Sequence, residues 1–306
     1  VLKFTKMHGI GNDYVYLDAV TEPRLAERRD LPELARRVSD RHKGIGSDGL
    51  IVIAKPTKES GLTDGVRMIM FNADGSEGAM CGNGIRCVAK FAVEHALVSV
   101  NARPLLVETK SGIKSIDYTL DNGRMISATV DMGEPILELP RIPVNAEHLD
   151  EVGDAGGQHK LSIKSQGRRS TDPPKTLEGT FVSMGNPHAI FFHPDVNAIN
   201  LEAIGPLVET HPAFPDRVNV HFVQCLSRTE VRMRTWERGS GITLACGTGA
   251  AAVCVACVLR SRTERDILMH LPGGDLRMEW RTDNHHVYKT GPAEEVFSGT
   301  WDDSRM

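Results

Sequence analysis

Cys81-Gly82-Asn83-Gly84 and Cys246-Gly247-Thr248-Gly249 are one tetrad written twice, a little over half of a 306-residue chain apart. Each tetrad opens a stretch rich in Ala and Val, Ile85 to Ala96 and Ala250 to Leu259, that predicts a helix. Each also follows a strand-like run, Val66 to Phe71 and Thr229 to Trp236, with Phe71 and Trp236 equally far ahead of their cysteines. Further upstream, Leu31 to Arg41 carries apolar residues at 31, 34, 35 and 38, the stripe of an amphipathic helix, and a strand candidate Leu50 to Ala54 follows. Asn200 to Glu209 and the alternating run Asn219 to Gln224 stand in the same order in the second half. Met7-His8-Gly9-Ile10-Gly11-Asn12 and Met184-Gly185-Asn186-Pro187-His188 begin the two series.

A repeat of this period predicts two similar domains related by an approximate twofold axis, with both cysteines on one shared cleft. The boundary is expected near Met132-Gly133-Glu134-Pro135, where strand-like Ile126 to Val130 meets a Gly/Pro break. The polar stretch from Asp150 to Pro174 reads as an insertion or mobile surface loop without chemistry.

Composition narrows the function. A formal net charge of −4, with acids and bases interspersed, leaves no basic face for a phosphate backbone, so nucleic acid is not an expected partner. No apolar run approaches the ~20 residues needed to span a bilayer, and Val1 to His8 is too polar for a signal-peptide core; no membrane association and a cytoplasmic location are expected. The six cysteines, at 81, 87, 225, 246, 254 and 257, read as reduced thiols rather than a disulfide framework.

A cysteine at the first turn of a helix sits against unpaired amides and the positive end of the macrodipole, which favours thiolate. The glycines that follow let a substrate carboxylate approach the same amides. Two such sites, one on either side of a carbon, supply the base and the acid that stereochemical inversion requires. One thiol and one thiolate must coexist, since adjacent anions repel and titrate together. A single Cys-Gly-x-Gly is more often structural, and only the duplication makes Cys81 and Cys246 catalytic candidates. Cys87, Cys225, Cys254 and Cys257 fall in apolar patterns with nothing electropositive beside them and read as core. Cys254-Val255-Ala256-Cys257 has metal-ligand spacing but lies mid-helix without a second ligand pair, so no metal is expected. Gly247 to Ala252 loosely matches a dinucleotide fingerprint but lacks the expected βαβ continuation with an acid about twenty residues on, and no cofactor is expected.

Glu237-Arg238 pairs a carboxylate with a planar fork, suited to the ammonium and carboxylate of an amino acid, although such a pair is usually a solvated strand end. Asn12, Asn72, Asn186 and Asn219 stand at turns or strand edges near the motifs, where asparagine most often makes a local turn. His188 is an auxiliary candidate for proton relay, with a surface or core-edge position as the ordinary alternative.

Together these segments resemble diaminopimelate epimerase along nearly the whole chain. The resemblance is carried by Lys6 to Asp13, Gly44-Ile45-Gly46-Ser47-Asp48, Phe71 to Glu77, Cys81 to Cys87, Met184 to His188, Trp236 to Gly241 and Ala245 to Gly249. It implies an α+β fold of two pseudo-symmetric domains, each a β-barrel-like sheet wrapped around a central helix. The domains would be 1–133 with 292–306, and 134–291, the strand near Glu295 to Thr300 returning to the first. It also implies interconversion of LL- and meso-diaminopimelate for lysine and peptidoglycan precursors, without pyridoxal phosphate or metal, by a homodimer. Cys81 and Cys246 match the catalytic pair. Gly82, Asn83, Gly247 and Thr248 match the cradle of the reacting carboxylate, and Asn12, Asn72, Asn186, Asn219, Glu237 and Arg238 match the residues that recognise the rest of an amino-diacid. Three positions depart from the pattern: Gly49 and Met80 where many members carry glutamine, and Ile242 where the family usually has glutamate. Their weight falls on the substrate, leaving open a racemase for another amino acid such as histidine. A non-catalytic amino-acid-binding protein and a dinucleotide-binding protein are the alternatives from other classes.

Overall fold

The structure, a computed structural model, describes residues 1–99, 103–163 and 175–304. The chain divides into two compact units, Val1–Asp131 with Thr290–Met306, and Met132–Lys289. Each is a mixed sheet around one buried helix.

In the first unit, β1 (Leu2–Gly9) and β2 (Asn12–Asp18) form a hairpin whose turn places Ile10 and Gly11 at positive φ. The helix α1 (Leu31–Ser39) then crosses over to β3 (Gly49–Ala54), which runs parallel to β2. β3 is buried along its length, as a parallel strand covered on both faces must be. The sheet continues antiparallel into β4 (Val66–Asn72), whose far edge carries the two-residue β5 (Glu77–Gly78) and, in parallel, β6 (Leu105–Thr109). β7 (Gly112–Asp121) and β8 (Arg124–Asp131) complete the meander. The C-terminal strand Glu294–Trp301 closes the other edge, antiparallel to β1 from Leu2↔Trp301 to His8↔Glu294.

The helix α2 (Gly84–Glu94) packs against β1, β2, β3, β4, β6 and β8 and is buried from Gly84 to Val93. A helix that is apolar on nearly all faces has to lie inside. Burying Ile85, Val88 and Phe91 contributes about 1.5–3 kcal/mol each. The stripe of α1 packs Leu31, Leu34, Ala35 and Val38 into the same unit's core. This helix ends two residues short of the run to Arg41, because the Asp40 carboxylate accepts from the amides of His42 and Lys43 and turns the chain.

The second unit repeats these connections. β9 (His159–Ile163) pairs antiparallel with β10 (Lys175–Ser183), which forms a hairpin with β11 (Pro187–Phe192). The helix α3 (Leu201–Glu209), capped by the Asn200 side chain on the Ala203 amide, crosses to β12 (Asn219–Cys225), parallel to β11. β13 (Glu230–Glu237) is antiparallel to β12 and carries the short β14 (Gly241–Thr243) and, in parallel, β15 (Asp266–Leu271), followed by β16 (Gly274–Trp280). The central helix α4 (Gly247–Leu259), of small residues, packs against β10, β11, β12 and β16. β17 (Val287–Gly291) then leads back to the first unit, and the C-terminal strand Glu294–Trp301 is β18. Strand for strand, β1 to β7 match β10 to β16 in order and direction, the regular expression of the repeated tetrads.

One expectation is corrected. Part of the polar stretch 150–174 is not loop: His159, Leu161 and Ile163 point inward from β9 and Lys160 and Ser162 outward, an alternation that fits a sheet edge. Residues 164–174 lie outside those described. No helix among the described residues is long and apolar enough to cross a membrane.

Candidate active site

In both units the tetrad cysteine stands at the head of the central helix, and its sulfur meets the amide three residues on. Gly84 N donates to Cys81 Sγ at 3.3 Å, and the Gly249 amide lies close enough to the Cys246 sulfur to favour its thiolate. Ile85 N and Ala250 N bond the cysteine carbonyls, at 2.9 Å each, and start the helical ladder. The amides of Gly82, Asn83, Gly247 and Thr248 come before that ladder, so the helix itself takes none of them.

Around Cys81, half-buried just ahead of α2, the thiol donates to Asn12 Oδ1 at 3.2 Å. The orientation of Asn12 is fixed from behind. Its Nδ2 donates to Asp48 Oδ2 at 2.7 Å, and a carboxylate can only accept, so the carbonyl oxygen is the end left for the sulfur. Asp48 also accepts from the Asp13 amide and from Arg41, while Lys6 and Arg41 hold the Asp13 carboxyl below its usual range against the burial that raises it. The Tyr14 hydroxyl lies against Cys81 and Asn12; burial first, then the neighbouring sulfur, push this phenol well up. Beneath the tetrad the wholly buried Arg86 donates through Nη1 to Gly82 O at 3.2 Å and Asn83 Oδ1 at 3.1 Å, and through Nε to Pro292 O at 3.0 Å. The Asn83 side chain therefore serves the loop, not its own helix cap. Asn72 makes a turn, its Nδ2 donating to Ser76 Oγ at 2.9 Å.

Cys246 is buried and caps α4 from an extended backbone. Burial, with the charge of Glu237 beside it, raises its thiol well above the usual range, and the Gly249 amide and the Thr248 hydroxyl oppose this only partly. The helix-start argument for thiolate is thus overruled here by desolvation. Thr248 Oγ1 is 3.9 Å from the sulfur. Glu237 is oriented by Thr243, whose hydroxyl donates to Oε1 at 2.6 Å. Asn219 spans two elements, donating to Pro187 O at 2.9 Å and accepting the Arg238 amide at 3.0 Å. The exposed Arg238 side chain donates to Asp216 O at 2.9 Å.

His188 is not at the surface or core edge. It is wholly buried, with Nε2 2.9 Å from Asn186 Oδ1 and Nδ1 2.9 Å from His221 Nε2, while His221 Nδ1 is 2.9 Å from Thr235 Oγ1. Burial keeps both rings neutral, lowering His188 well below the ordinary histidine value and His221 to about 3. Tyr14, Asp48, Arg86 and His221 escaped the sequence reading. For His221 a signal existed, since strand alternation puts it on the face of Asn219.

The three departures differ in kind. A Cβ at Gly49 would stand 2.2 Å from Phe71 O and 2.8 Å from Tyr14 Cε1, so no side chain fits there without moving the sheet. Met80 is half-buried, and Ile242 is exposed on β14 while Thr243, on the opposite face, meets Glu237. Cys225, read as core, has Cys257 and then Arg262 against it, and these bring its thiol down to about 7 despite partial burial.

Comparison with known proteins agrees with this architecture. The family model described as diaminopimelate epimerase matches residues 4–138 and 180–296. The chain is 48% identical over 302 residues to a diaminopimelate epimerase of Desulfovibrio desulfuricans, covering 98% of each chain. It is 45% identical to one of Acetivibrio thermocellus, covering 98% of this chain and 99% of that one. Among solved structures, a probable proline racemase from Agrobacterium radiobacter superposes with a TM-score of 0.63 at 14% identity, covering 99% and 93% of the two chains. A hydroxyproline epimerase from Agrobacterium vitis gives 0.63 at 16% identity, covering 97% and 90%. At such identities the structural matches speak for the fold alone. The sequence matches go further: the chain belongs to the diaminopimelate epimerase family.

Proposed function

We propose that the chain interconverts LL- and meso-diaminopimelate by proton transfer at an α-carbon, with Cys81 and Cys246 as the acid-base pair and no cofactor. The observation that carries this reading is the doubled helix head: twice, a cysteine sulfur stands at the start of a central helix, beside helix-start amides able to receive a carboxylate. Cys246, whose thiol is held protonated by burial and by Glu237, delivers the proton to one face. Cys81 takes the proton from the other face; its sulfur then keeps the Gly84 amide and the positive end of α2 to hold the charge. Negative charge developing on the substrate is met by fixed amide donors at Gly82, Asn83, Gly247 and Thr248. Reversal of direction exchanges the two roles.

Asn12, Asn72, Asn186, Asn219, Glu237 and Arg238 are assigned to the remaining ammonium and carboxylate groups of the amino-diacid, with His188 auxiliary. Domains close to 1–133 with 292–306 and 134–291, a cytoplasmic setting and a homodimer belong to the same reading and rest on the family resemblance; light scattering at twice the chain mass checks the last.

Incubation with LL-diaminopimelate in heavy water tests the proposal. Deuterium should enter the α-carbon as the meso isomer accumulates, and Cys81→Ala or Cys246→Ala should each abolish both. Turnover in either variant refutes the two-thiol mechanism. Exchange into histidine or another amino acid, with none into diaminopimelate, refutes the substrate assignment and leaves the reaction type standing.

A further inference from the structure

Cys246 shares its surroundings with two imidazoles, and the three side chains have the makings of a metal site. Nitrogen atoms of His188 and His221 and the Cys246 sulfur all lie within 4.8 Å of one another, and all three residues are buried in the second unit. His188 and His221 lie on the same face of the parallel strands β11 and β12, as diagonal neighbours two residues out of register, and Nδ1 of His188 is 2.9 Å from Nε2 of His221. Gly249 keeps the approach open: a Cβ there would be 2.8 Å from His221 Nε2 and 3.0 Å from Cys246 Sγ.

Two imidazoles and one thiolate form a borderline-soft ligand set of three, leaving a fourth tetrahedral place for water. Asn186 Oδ1 is placed to accept from His188 Nε2–H, which leaves Nδ1 of His188 a lone pair. In the metal-free chain His221 Nε2–H donates to that lone pair; on binding, this proton moves to Nδ1, where Thr235 Oγ1 can turn to accept it. Nδ1 of His188 and Nε2 of His221 then both offer lone pairs to the ion.

We infer that Zn²⁺ binds at His188, His221 and Cys246 and, by holding Cys246 as thiolate, inhibits the enzyme. The protons balance. Each imidazole keeps the one proton of its neutral form, now on the outer nitrogen, and the single proton released on binding comes from the Cys246 thiol. Since the ligands are buried, the block should develop slowly and reverse on removal of the metal by a chelator. The inhibitory consequence rests on Cys246 being catalytic; the binding itself does not.

Titration of the chelator-stripped protein with Co²⁺, which replaces Zn²⁺ and reports its own coordination, separates the two. The expected result is one equivalent bound, with a thiolate-to-metal charge-transfer band and the intense ligand-field absorption of a four-coordinate ion, displaced by Zn²⁺. Thr235→Val, which removes only the orienting hydroxyl, should weaken binding about 10- to 100-fold. His221→Gln should abolish the charge-transfer band while circular dichroism shows a folded chain. Absence of the band in the wild-type chain overturns the inference, and so does a band that survives unchanged in both variants. A normal Co²⁺ site in a chain that exchanges no α-proton would keep the metal site and remove the catalytic reading of Cys246.

Discussion

Gly249→Ala sets two opposed effects against each other at the position where the second tetrad meets α4. On propensity, alanine in place of glycine favours a helix by up to about 1 kcal/mol. On packing, the new Cβ would lie 2.3 Å from His221 Cε1, 2.8 Å from His221 Nε2 and 3.0 Å from Cys246 Sγ. His221 cannot give way cheaply, being wholly buried and bonded to His188 and Thr235. Overpacking of this kind costs about 1–3 kcal/mol, so the net effect is a loss of about 0–2 kcal/mol. For a unit of this size that lowers the melting temperature by up to roughly 8 °C. Activity should fall further than stability, since displacing a reacting group by about 1 Å costs on the order of 100-fold. Differential scanning calorimetry and deuterium exchange at the α-carbon read the two. A variant that melts higher than wild type and exchanges at the wild-type rate would show that the helix head is loosely packed, and the account of Cys246 would be wrong.

Acid should destabilise the second unit. His221 titrates near 3 when folded against about 6.5 when unfolded, so the unfolded chain binds the extra proton first and stability falls as pH drops from about 6.5 towards 3. His188 acts in the same direction, and His221→Gln should flatten this acid limb in urea melts; an unchanged limb excludes His221 as its source. Glu237→Gln should lower the Cys246 thiol pKa and speed its alkylation by iodoacetamide near pH 8, because burial is then the only large effect raising it; an equal rate would show that Glu237 does not act on the sulfur. Gly49→Gln, which inserts the glutamine that family resemblance suggests, should cost several kcal/mol or prevent folding, since its Cβ meets the Phe71 carbonyl at 2.2 Å; a stable, soluble variant would show that β3 and β4 yield more than their register implies.

The repeat was readable because its signals are local. A Cys-Gly-x-Gly before an Ala/Val run announces a helix head, and the stripes at Leu31 to Val38 and Leu201 to Val208 announce the crossover helices. β9 was lost because polarity was read over the whole stretch 150–174, while the strand occupies five residues whose alternation is short. Neighbours of the tetrad cysteines were legible when they stood inside a motif, as Asn12 and Glu237 do. Tyr14, Asp48 and His221 were not, since each meets its partner through strand pairing between segments far apart in sequence. Arg86 was hidden differently. An arginine in a helix ordinarily reaches solvent, and only the carbonyls of Gly82 and Pro292 explain why this one is buried.

That arginine ties the order of synthesis to the assembly of the first unit. Its bond to Pro292 and the pairing of β18 along β1 both use residues translated only after the whole of the second unit. Until then β1 presents an open edge and the loop bearing Cys81 lacks one of its anchors. The second unit is continuous from Met132 to Lys289, so it is free to finish first although it is translated later, and a chain cut short before residue 290 would carry its Cys81 on an unfinished scaffold.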